Sequence, residues 1–433
     1  MEWRSWSGLE TSRPTRVVHP SDAEAVVEAV GKARADGSTL KMVGTGHSFT
    51  AIGVPEQTML KPGRMNGIIS VDRDAMTVTA LAGTPLHTLN TELEHLGLSL
   101  HNMGDIAEQT LAGAVSTGTH GTGGVAAGLS AQIAGLELVT GTGELLRATG
   151  EENPDVLDLA RVGLGALGVI TTITVRVEPL FLLEAHEQPA RWDDALAAYD
   201  DDTAAHHHVD MYWFPHTDRM LLKHNDRLDA DLSEAEPLSR WRSWLDDDFF
   251  SNTLFGALTA AANRAPRVIP RMNQLSSRVL SERTYSDIAH RVFTAPRRVV
   301  FREMEYAVPR EAGLAALREA RRVIDASDWN ISFPVEVRVA PPDDVPMSTA
   351  YERDSLYLAF HTHRDADHTA YFAAMEQIML AHDGRPHWGK LHSLAASDLA
   401  AKYPRFGDFV ALRDRLDPDR VFANTHLRKI LGD

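Results

Sequence analysis

Short apolar runs alternate with helically spaced apolar positions along the first 180 residues of the chain. The apolar runs have the length of buried strands, and they predict strands over 40–43, 77–82, 133–139, 144–148 and 169–177. The helical spacing predicts helices that begin at an N-cap at Ser21, begin at Pro85 and cover 155–162. This interleaving predicts a mixed α and β structure for the first part of the chain.

The pattern changes near Leu180, where amphipathic helices and further strands follow. Helices are predicted over 311–326 and 366–382, the second one capped by Gly384, and strands over 331–339 and 355–360. Two acidic runs, 200–202 and 246–248, are more typical of a solvated surface than of a functional site. A chain of 433 residues that changes character in this way is expected to form two domains.

Composition and charge exclude several classes of protein. The chain has no cysteine, which rules out disulfides, iron–sulfur clusters, Cys-ligated zinc and cysteinyl attachment of a cofactor. Its net charge of −17 opposes binding to nucleic acid and to anionic membranes. No stretch has the apolar length of a membrane span, and residues 1–6 lack the apolar core of a signal peptide. We therefore expect a cytoplasmic protein without a membrane span.

Residues 163–168 match the glycine pattern GxGxxG of dinucleotide-binding folds. That pattern works only after a strand and at the start of a helix, where the helix N-terminus holds a diphosphate. Here a predicted helix precedes the glycines and a predicted strand follows them. We therefore reject a nicotinamide dinucleotide site and interpret these glycines as allowing close backbone packing against a bound group.

Two other glycine-rich segments carry more information. Residues 44–50 read GTGHSFT and residues 113–124 read GAVSTGTHGTGG. Glycines let backbone N–H groups approach an anion, and interleaved hydroxyls add donors. Taken alone, the first segment is better explained as a turn that carries a surface histidine, His47. The second would be a flexible loop, although the hydroxyls of Ser116, Thr117 and Thr119 weaken that explanation.

Charged residues in the C-terminal third form a second group of candidates. Glu336 and Arg338 lie two residues apart in a predicted strand, so their side chains point to the same face. An acid beside a guanidinium can orient a hydroxyl and stabilise developing negative charge. The alternative is a structural ion pair, which is the better explanation without further motifs. Lys390 follows His387-Trp388-Gly389 and is, by itself, most simply a surface lysine.

The tract His206-His207-His208 raises the question of a metal site. Two of these imidazoles could share a strand face, but no third and fourth ligands follow at a recognisable spacing. We interpret the tract as the polar start of a strand and assign no metal ligand in the chain, His120 included.

Together these segments resemble the vanillyl-alcohol oxidase type of FAD flavoprotein, in the branch of aldonolactone and alditol oxidases. Residues 44–48 resemble the histidyl-flavin loop GxGHS of that branch. PVEVR at 334–338 resembles its E-x-R substrate strand, and RPHWGKLH at 385–392 resembles its HWGK-x-H signature. FANTHL at 422–427 resembles its closing segment. The resemblance runs from about Pro14 to the end and is weakest near 225–300.

The resemblance implies an α+β fold with a two-part FAD-binding domain of the vanillyl-alcohol oxidase type. The FAD-binding domain would cover 1–180, and an α+β substrate domain with an antiparallel sheet would cover 181–392. Residues 393–433 would return to the FAD-binding part. His47 would hold FAD covalently through the flavin 8α-methyl group. The implied cofactor-binding residues are Gly44, Thr45, Gly46, His47, Ser48, Phe49, Asp105, Thr110, Gly113, Ser116, Thr117, Gly118, Thr119, His120, Gly168, Ile170, His387, Asn424 and His426.

The implied reaction moves a hydride from a carbinol carbon of a small polyol or sugar lactone to flavin N5. The residues implied in catalysis and substrate binding are Gly104, Asp105, Glu336, Arg338, His361 and Lys390. Asp105 and His392 favour a lactone of the L-gulono- or D-arabinono-1,4 type over an alditol such as xylitol or sorbitol. Reoxidation would use O2 and give H2O2, or use another acceptor, and the missing side chain at Gly104 favours O2. The alternatives from other classes are a flavin-binding protein without turnover and a carbohydrate-binding module without flavin.

Overall fold

Strands and helices interleave in the first part of the chain, as the sequence predicts. The computed structural model describes residues 2–239, 265–278, 280–295 and 299–433, so the acidic run at 246–248 lies outside the described residues. In chain order the first elements are β1 (Trp3–Arg4), β2 (Thr11–Ser12), β3 (Arg16–Val18), α1 (Ala23–Ala35), β4 (Leu40–Met42), β5 (Thr58–Leu60), β6 (Ile68–Asp72), β7 (Thr77–Leu81), α2 (Leu86–His95), β8 (Leu98–Ser99), α3 (Leu111–Ser116), β9 (Ile133–Val139), β10 (Leu145–Thr149), α4 (Pro154–Ala160), β11 (Val169–Arg176) and β12 (Glu178–Pro179).

Two sheets form the framework of this part. One is a parallel sheet in the order β3-β5-β4, and the other is an antiparallel sheet in the order β10-β9-β11-β7-β6. The apolar core around the second sheet includes Phe409 and Ile430, which lie near the end of the chain. Burying these side chains against the first part holds the C-terminal segment there. The domain boundaries at 180 and 392 stay predictions.

Longer strands and helices make up the second part of the chain. The elements are β13 (Leu182–Arg191), α5 (Trp192–Ala205), β14 (His208–Trp213), β15 (Arg219–Leu228), α6 (Ile269–Arg278), β16 (Arg283–Ile288), α7 (Ala289–Phe293), β17 (Phe301–Pro309), α8 (Arg310–Ala326), β18 (Val335–Ala340), β19 (Ser355–His363), α9 (Thr369–Ala381), β20 (Arg385–Pro386), α10 (Ala396–Ala400), α11 (Phe406–Leu416) and α12 (Thr425–Leu431).

One large antiparallel sheet organises the second part, in the order β16-β13-β15-β14-β18-β19-β17-β20. Its two faces differ because side chains alternate along each strand. Val335, Val337 and Val339 of β18 pack into an apolar core with residues of α5, α8 and α9. Glu336 and Arg338 therefore point to the opposite face. We call this the polar face; it carries Asp210, Glu303, Glu305, Glu336, Arg338 and His361.

Two helix ends differ in detail from the prediction. Asp22, not Ser21, caps α1, and its carboxylate accepts a hydrogen bond from the N–H of Ala25 at 2.8 Å. Both residues are good N-caps, so the choice depends on where the helix begins. After α9, Asp383 adopts the left-handed conformation, while the N–H of Gly384 donates to the carbonyl oxygen of Met379 at 2.8 Å.

The glycines at 163–168 lie between α4 and β11, so the arrangement that a dinucleotide fingerprint requires is absent there, as predicted. Across the part of the chain that the structure describes, no helix combines the length and the apolar character needed to cross a bilayer.

Candidate functional site

A deep cleft opens in the first part of the chain between the 44–50 loop, α3 and the segment 164–170. About 930 Å³ of space that atoms do not fill lies within the cleft, part of it open to solvent. Many of the predicted cofactor residues line it: Gly44, Thr45, Gly46, His47, Ser48, Thr110, Gly113, Ser116, Thr117, Gly168 and Ile170.

The course of the 44–50 loop depends on its two glycines. A Cβ on Gly44 would lie 2.4 Å from the hydroxyl oxygen of Thr110, so a side chain there would collide with the N-cap residue of α3. Gly46 has a φ of +73°, a conformation that other residues adopt only with strain. This backbone brings the next residue, His47, to the cleft.

The charge of the cleft suits an anion. The described residues that line it include Lys41 but no aspartate or glutamate, in a chain that has 60 acidic residues. The Lys41 ammonium donates to the carbonyl oxygens of Gly165 at 2.9 Å and Phe422 at 3.3 Å. Burial lowers the pKa of Lys41 to about 7. A diphosphate would therefore meet hydroxyls, backbone N–H groups and the amine of Lys41, whose protonated form it would stabilise.

The His47 imidazole lies in the cleft with one nitrogen uncommitted. Its ring stacks on Trp6, with ring centroids 5.3 Å apart and an interplanar angle of 27°. Its Nδ1 is buried and has no hydrogen-bond partner among the described residues. Burial is the main reason that the pKa of His47 lies below its ordinary value. The ring is therefore neutral and nucleophilic at physiological pH.

The loop that carries His47 is hydrogen-bonded to the segment 387–390, whose Lys390 pairs with Glu303 of the polar face. The N–H of Phe49 donates to the carbonyl oxygen of Gly389 at 2.7 Å, and the Thr50 hydroxyl donates to the carbonyl oxygen of Trp388 at 3.1 Å. The Lys390 ammonium lies 5.3 Å from the centroid of the Phe49 ring. His47 and Lys390 are thereby held on adjoining segments.

Arg338 is surrounded by three carboxylates on the polar face. Its Nη2 donates to Glu336 at 2.6 Å and lies 3.5 Å from an oxygen of Asp105, and its Nε donates to Asp210 at 3.0 Å. Burial alone would lower the pKa of Arg338, but Glu336, Asp105 and Asp210 together raise it above its ordinary value. The ion pair that the sequence left open as an alternative is therefore present. The contact of Arg338 with Asp105 also joins the predicted substrate strand to the 102–105 turn of the first part.

Lys390 forms a second buried ion pair, with Glu303 of β17. Nε2 of His361 lies 3.5 Å from the other oxygen of the Glu303 carboxylate. Burial alone would raise the pKa of Glu303, but Lys390 and His361 lower it to about 2. In turn, burial opposes the charge of Lys390, but Glu303 and Glu305 raise the pKa of its ammonium above the ordinary value. Lys390 is thus a buried, charged residue and not a surface lysine.

Two histidines and Glu305 form a third group on this face. Nε2 of His120 lies 3.4 Å from the Glu305 carboxylate, and Nδ1 of His120 lies 2.8 Å from the carbonyl oxygen of Gly121. The His120 ring stacks on Tyr357 at 3.9 Å. Burial lowers the pKa of His387 to about 4, and its Nδ1 accepts a hydrogen bond from the N–H of Gly389 at 3.0 Å. Neutral His387 therefore fixes the turn that precedes Lys390.

Several predicted cofactor residues lie near the cleft without lining it; these are Phe49, Asp105, Gly118, Thr119, His120, His387, Asn424 and His426. Asn424 is occupied elsewhere, since its amide nitrogen donates to the carbonyl oxygens of Ala51 at 3.0 Å and Val54 at 3.1 Å. Its oxygen accepts from the N–H of Leu427 at 2.8 Å and caps α12. Asn424 thus anchors the C-terminal segment beneath the 44–50 loop.

Sequence reasoning missed Lys41, Asp210, Glu303 and Glu305. A signal for the two glutamates was present, because charged and apolar residues alternate from Glu303 to Tyr306, as in a strand with one polar face. Lys41 had a weaker signal, as the one charged position in a short buried strand. Asp210 had none, since nothing local shows that β14 lies beside β18.

A glycine-lined cleft with an anion-binding character beside the polar face of an antiparallel sheet defines a two-part flavoprotein of the vanillyl-alcohol oxidase type. The comparisons with known proteins agree with this class. The FAD binding domain family matches residues 14–149, and the D-arabinono-1,4-lactone oxidase family matches residues 173–430. The chain belongs to the D-arabinono-1,4-lactone oxidase family.

Relatives of known name match nearly the whole chain. An L-gulono-1,4-lactone dehydrogenase of Mycobacterium tuberculosis is 38% identical over 430 residues, which is 99% of each chain. An L-gulonolactone oxidase of Mus musculus is 30% identical over 437 residues, covering 99% of this chain and 98% of the relative. The crystal structure of cholesterol oxidase from Brevibacterium sterolicum has a TM-score of 0.84 at 17% identity, covering 99% and 96% of the two chains. That likeness confirms the predicted fold.

Proposed function

We propose that the protein is an FAD-dependent enzyme that oxidises a hydroxyl of a sugar-derived 1,4-lactone. The observation that carries the proposal is the hydrogen bonding between the loop of His47, which lines the cleft, and the segment of Lys390, which pairs with Glu303 of the polar face. The named relatives, which act on L-gulono-1,4-lactone or D-arabinono-1,4-lactone according to their names, support the substrate class. Because those relatives are lactone enzymes, an alditol is the less favoured substrate.

FAD fits the cleft by three properties of its lining. The described residues place no acidic group in the lining, glycines let a ligand approach the backbone closely, and the buried Nδ1 of His47 has no hydrogen-bond partner among those residues. His47 would carry the covalent link to the flavin 8α-methyl group. When bound, the flavin supplies the acceptor for the hydride.

The polar face would bind and activate the lactone. Arg338 and Lys390 are the buried cations, and each can stabilise negative charge that develops on a substrate oxygen. Glu336 and Asp105 hold the Arg338 guanidinium, and Glu303 holds the Lys390 ammonium in the same way. His361, whose Nδ1 lies 3.1 Å from the carbonyl oxygen of Pro334, completes the wall beside Glu303. The hydroxyl proton would leave to a basic group of this face.

The electron acceptor is proposed to be O2, with H2O2 as product. The alternative is another acceptor, which the dehydrogenase name of the relative from M. tuberculosis favours. The predicted cytoplasmic location belongs to the same proposal, and cell fractionation would check it.

Spectroscopy on the purified protein tests the proposal. We expect flavin absorption that stays with the polypeptide after acid precipitation, and bleaching of that absorption when L-gulono- or D-arabinono-1,4-lactone is added without oxygen. Xylitol at the same concentration serves as the comparison. Admitting O2 should restore the colour and produce H2O2, whereas recovery only with a dye would identify a dehydrogenase. A flavin that neither lactone bleaches would refute the proposed function.

A further inference from the structure

Asp202, His206 and His224 converge on the face of the large sheet that lies opposite the polar face. Asp202 lies in the last turn of α5, and His206 is the residue that ends this helix. His224 lies in β15, opposite Val209 of β14, whereas Asp210 of the polar face lies opposite Lys223. Because side chains alternate along a strand, His224 points away from the polar face. One possible ligand atom from each of the three residues lies within 4.8 Å of the other two.

His224 carries a polar atom for which the described residues supply no hydrogen bond. The residue is 4% exposed, and its Nε2 is buried without a hydrogen-bond partner. The nearest carboxylate oxygen, from Asp202, lies 3.6 Å away, which is too far for a hydrogen bond. Buried polar atoms nearly always have a hydrogen-bond partner. A buried nitrogen that lacks one among the described residues, beside a carboxylate and a second imidazole, therefore indicates a site for a ligand.

His206 is oriented as metal-binding histidines usually are. Its Nδ1 lies 2.6 Å from one carboxylate oxygen of Asp226, and the other oxygen accepts a hydrogen bond from the N–H of His207 at 2.9 Å. Such a carboxylate fixes the ring and makes the other nitrogen a better ligand. The His206 and His224 rings are stacked 4.1 Å apart and only 6° from parallel, and one nitrogen of each lies within 4.8 Å of the other.

We propose that Asp202, His206 and His224 bind a divalent transition-metal ion such as Zn²⁺, with water completing the coordination. Two imidazole nitrogens and one carboxylate oxygen suit Zn²⁺, Co²⁺ or Ni²⁺ and do not suit Ca²⁺ or Mg²⁺. Ligands of a tetrahedral zinc ion lie about 3.4 Å apart, so ligand atoms that lie up to 4.8 Å apart must approach by up to roughly 1.4 Å. Asp202 is part-exposed and its carboxylate can move toward the two imidazoles, whereas Asp226 holds the His206 ring in place.

The ion would link the end of α5 to β15 and so stabilise the packing of this helix against the sheet. The sequence showed no further ligand for the histidine tract, because His224 lies in the separate strand β15 and not at a recognisable spacing from the tract. A second group of possible ligands consists of His120, Glu305 and His387, whose ligand atoms also lie within 4.8 Å of one another. This group lies on the polar face, within the proposed active site. The experiment must distinguish the two groups.

Zinc binding to the flavin-loaded protein without a histidine tag tests the proposal. After treatment with a chelator, calorimetric titration with ZnSO₄ should show one equivalent bound to the wild type. His206→Gln and His224→Gln should each weaken that binding by about 100-fold or more, and Asp226→Asn by roughly 10- to 100-fold. Zinc should raise the melting temperature of the wild type and not that of His206→Gln.

His382→Gln is the matched control. His382 is half-buried and its Nε2 lies 3.1 Å from Glu319, but it lies in no group of three possible ligands among the described residues. Its zinc binding should equal that of the wild type. Equal binding by the wild type and His206→Gln would overturn the proposal, and so would binding that is lost in His387→Gln alone. If His224→Gln fails to fold and loses its flavin absorption, the more exposed His206 still decides the question.

Discussion

The backbone N–H of Phe49 donates a hydrogen bond to the carbonyl oxygen of Gly389 at 2.7 Å. This bond joins two segments that lie 340 positions apart in the chain. One of them presents His47 to the cleft, and the other presents Lys390 to the polar face. The relative position of the flavin and the substrate groups therefore depends on backbone contacts and not on flexible side chains alone, and it follows that single side-chain changes can test each role separately.

Removing the His47 imidazole should abolish the covalent link to the flavin. The chain has no cysteine, and no other histidine adjoins His47 in the loop, so His47→Ala should have the bare polypeptide mass after denaturation. Mass spectrometry checks this. His19→Ala, at an exposed histidine of the same part, should keep the flavin mass. Retention of that mass in His47→Ala would place the attachment elsewhere.

Arg338→Ala should lower turnover by roughly two orders of magnitude or more if the guanidinium stabilises transition-state charge. The change also leaves Glu336, Asp210 and Asp105 without their cation, so the melting temperature should fall as well. Arg338→Lys keeps the charge but cannot reproduce the planar fork, and we expect only partial recovery.

Arg161→Ala separates loss of stability from loss of function. Arg161 is also buried and donates to Asp344 at 2.8 Å, but it lies outside the polar face. The Arg161→Ala variant should have a lower melting temperature than the wild type but the same flavin content and the same turnover per flavin. Near-normal turnover in Arg338→Ala would mean that Arg338 serves only as a partner in the structural ion pair.

Glu303→Gln should move the alkaline limit of activity to lower pH. Burial opposes the charge of Lys390, and Glu303 is the main group that raises the pKa of its ammonium. Without the carboxylate, Lys390 should lose its proton at lower pH, and kcat/KM should fall earlier as pH rises. Glu178→Gln breaks a comparable pair with Arg227, at 2.6 Å, away from this face and should keep the wild-type profile. An unchanged profile in Glu303→Gln would show that the charge of Lys390 is not needed.

Gly104→Ala tests the approach of O2 to the reduced flavin. A methyl group in the oxygen path should slow reoxidation in stopped flow while reduction by substrate is nearly unchanged. The structure adds a constraint, since a Cβ on Gly104 would lie 3.0 Å from the Thr119 methyl and 3.2 Å from the carbonyl oxygen of His120. Crowding is therefore a competing cause of any defect.

Gly104→Ala combined with Thr119→Ser distinguishes blocking from crowding. Thr119→Ser removes the methyl group that the new Cβ would meet, and by itself it serves as the control. If the double variant still reoxidises slowly but is reduced normally, the Gly104 position controls oxygen access. If both half-reactions return to normal, the defect of Gly104→Ala arose from crowding, and the oxygen prediction is wrong.

Lys41 should make the stability of the flavin-free protein depend on pH. Its pKa is about 7 in the folded protein against 10.5 ordinarily, so between these values the unfolded chain holds the extra proton. The folded state therefore gains stability as pH rises through this window, by roughly 1.4 kcal/mol for each unit. Relative to Lys41→Met, the wild type should melt at increasingly higher temperature from pH 7 to 10.

Exposed Lys32 supplies the control for this series, since Lys32→Met should show no such trend. FAD should reduce the dependence, because its diphosphate would raise the pKa of Lys41. A constant difference between the wild type and Lys41→Met across this range would mean that Lys41 is already protonated or solvated in the folded protein.

Much of the local structure could be predicted from the sequence. The strand predicted over 331–339, observed as Val335–Ala340, placed Glu336 and Arg338 on one face, and the glycines at 163–168 were correctly placed between a helix and a strand. These inferences hold because the side-chain direction in a strand, and the position of a glycine between a helix and a strand, are local properties of the backbone. The N-cap of α1 was wrong by one residue, because Ser21 and Asp22 are both good caps.

Only the tertiary structure decided which distant residues meet. The large sheet brings β14 beside β18 and β17 beside β19, so Asp210 reaches Arg338 and Glu303 reaches Lys390 and His361. It also decided that Asn424 anchors a loop and that His224 joins Asp202 and His206. Strand order depends on how all the apolar faces pack at once, and the pattern of a single segment does not contain that information.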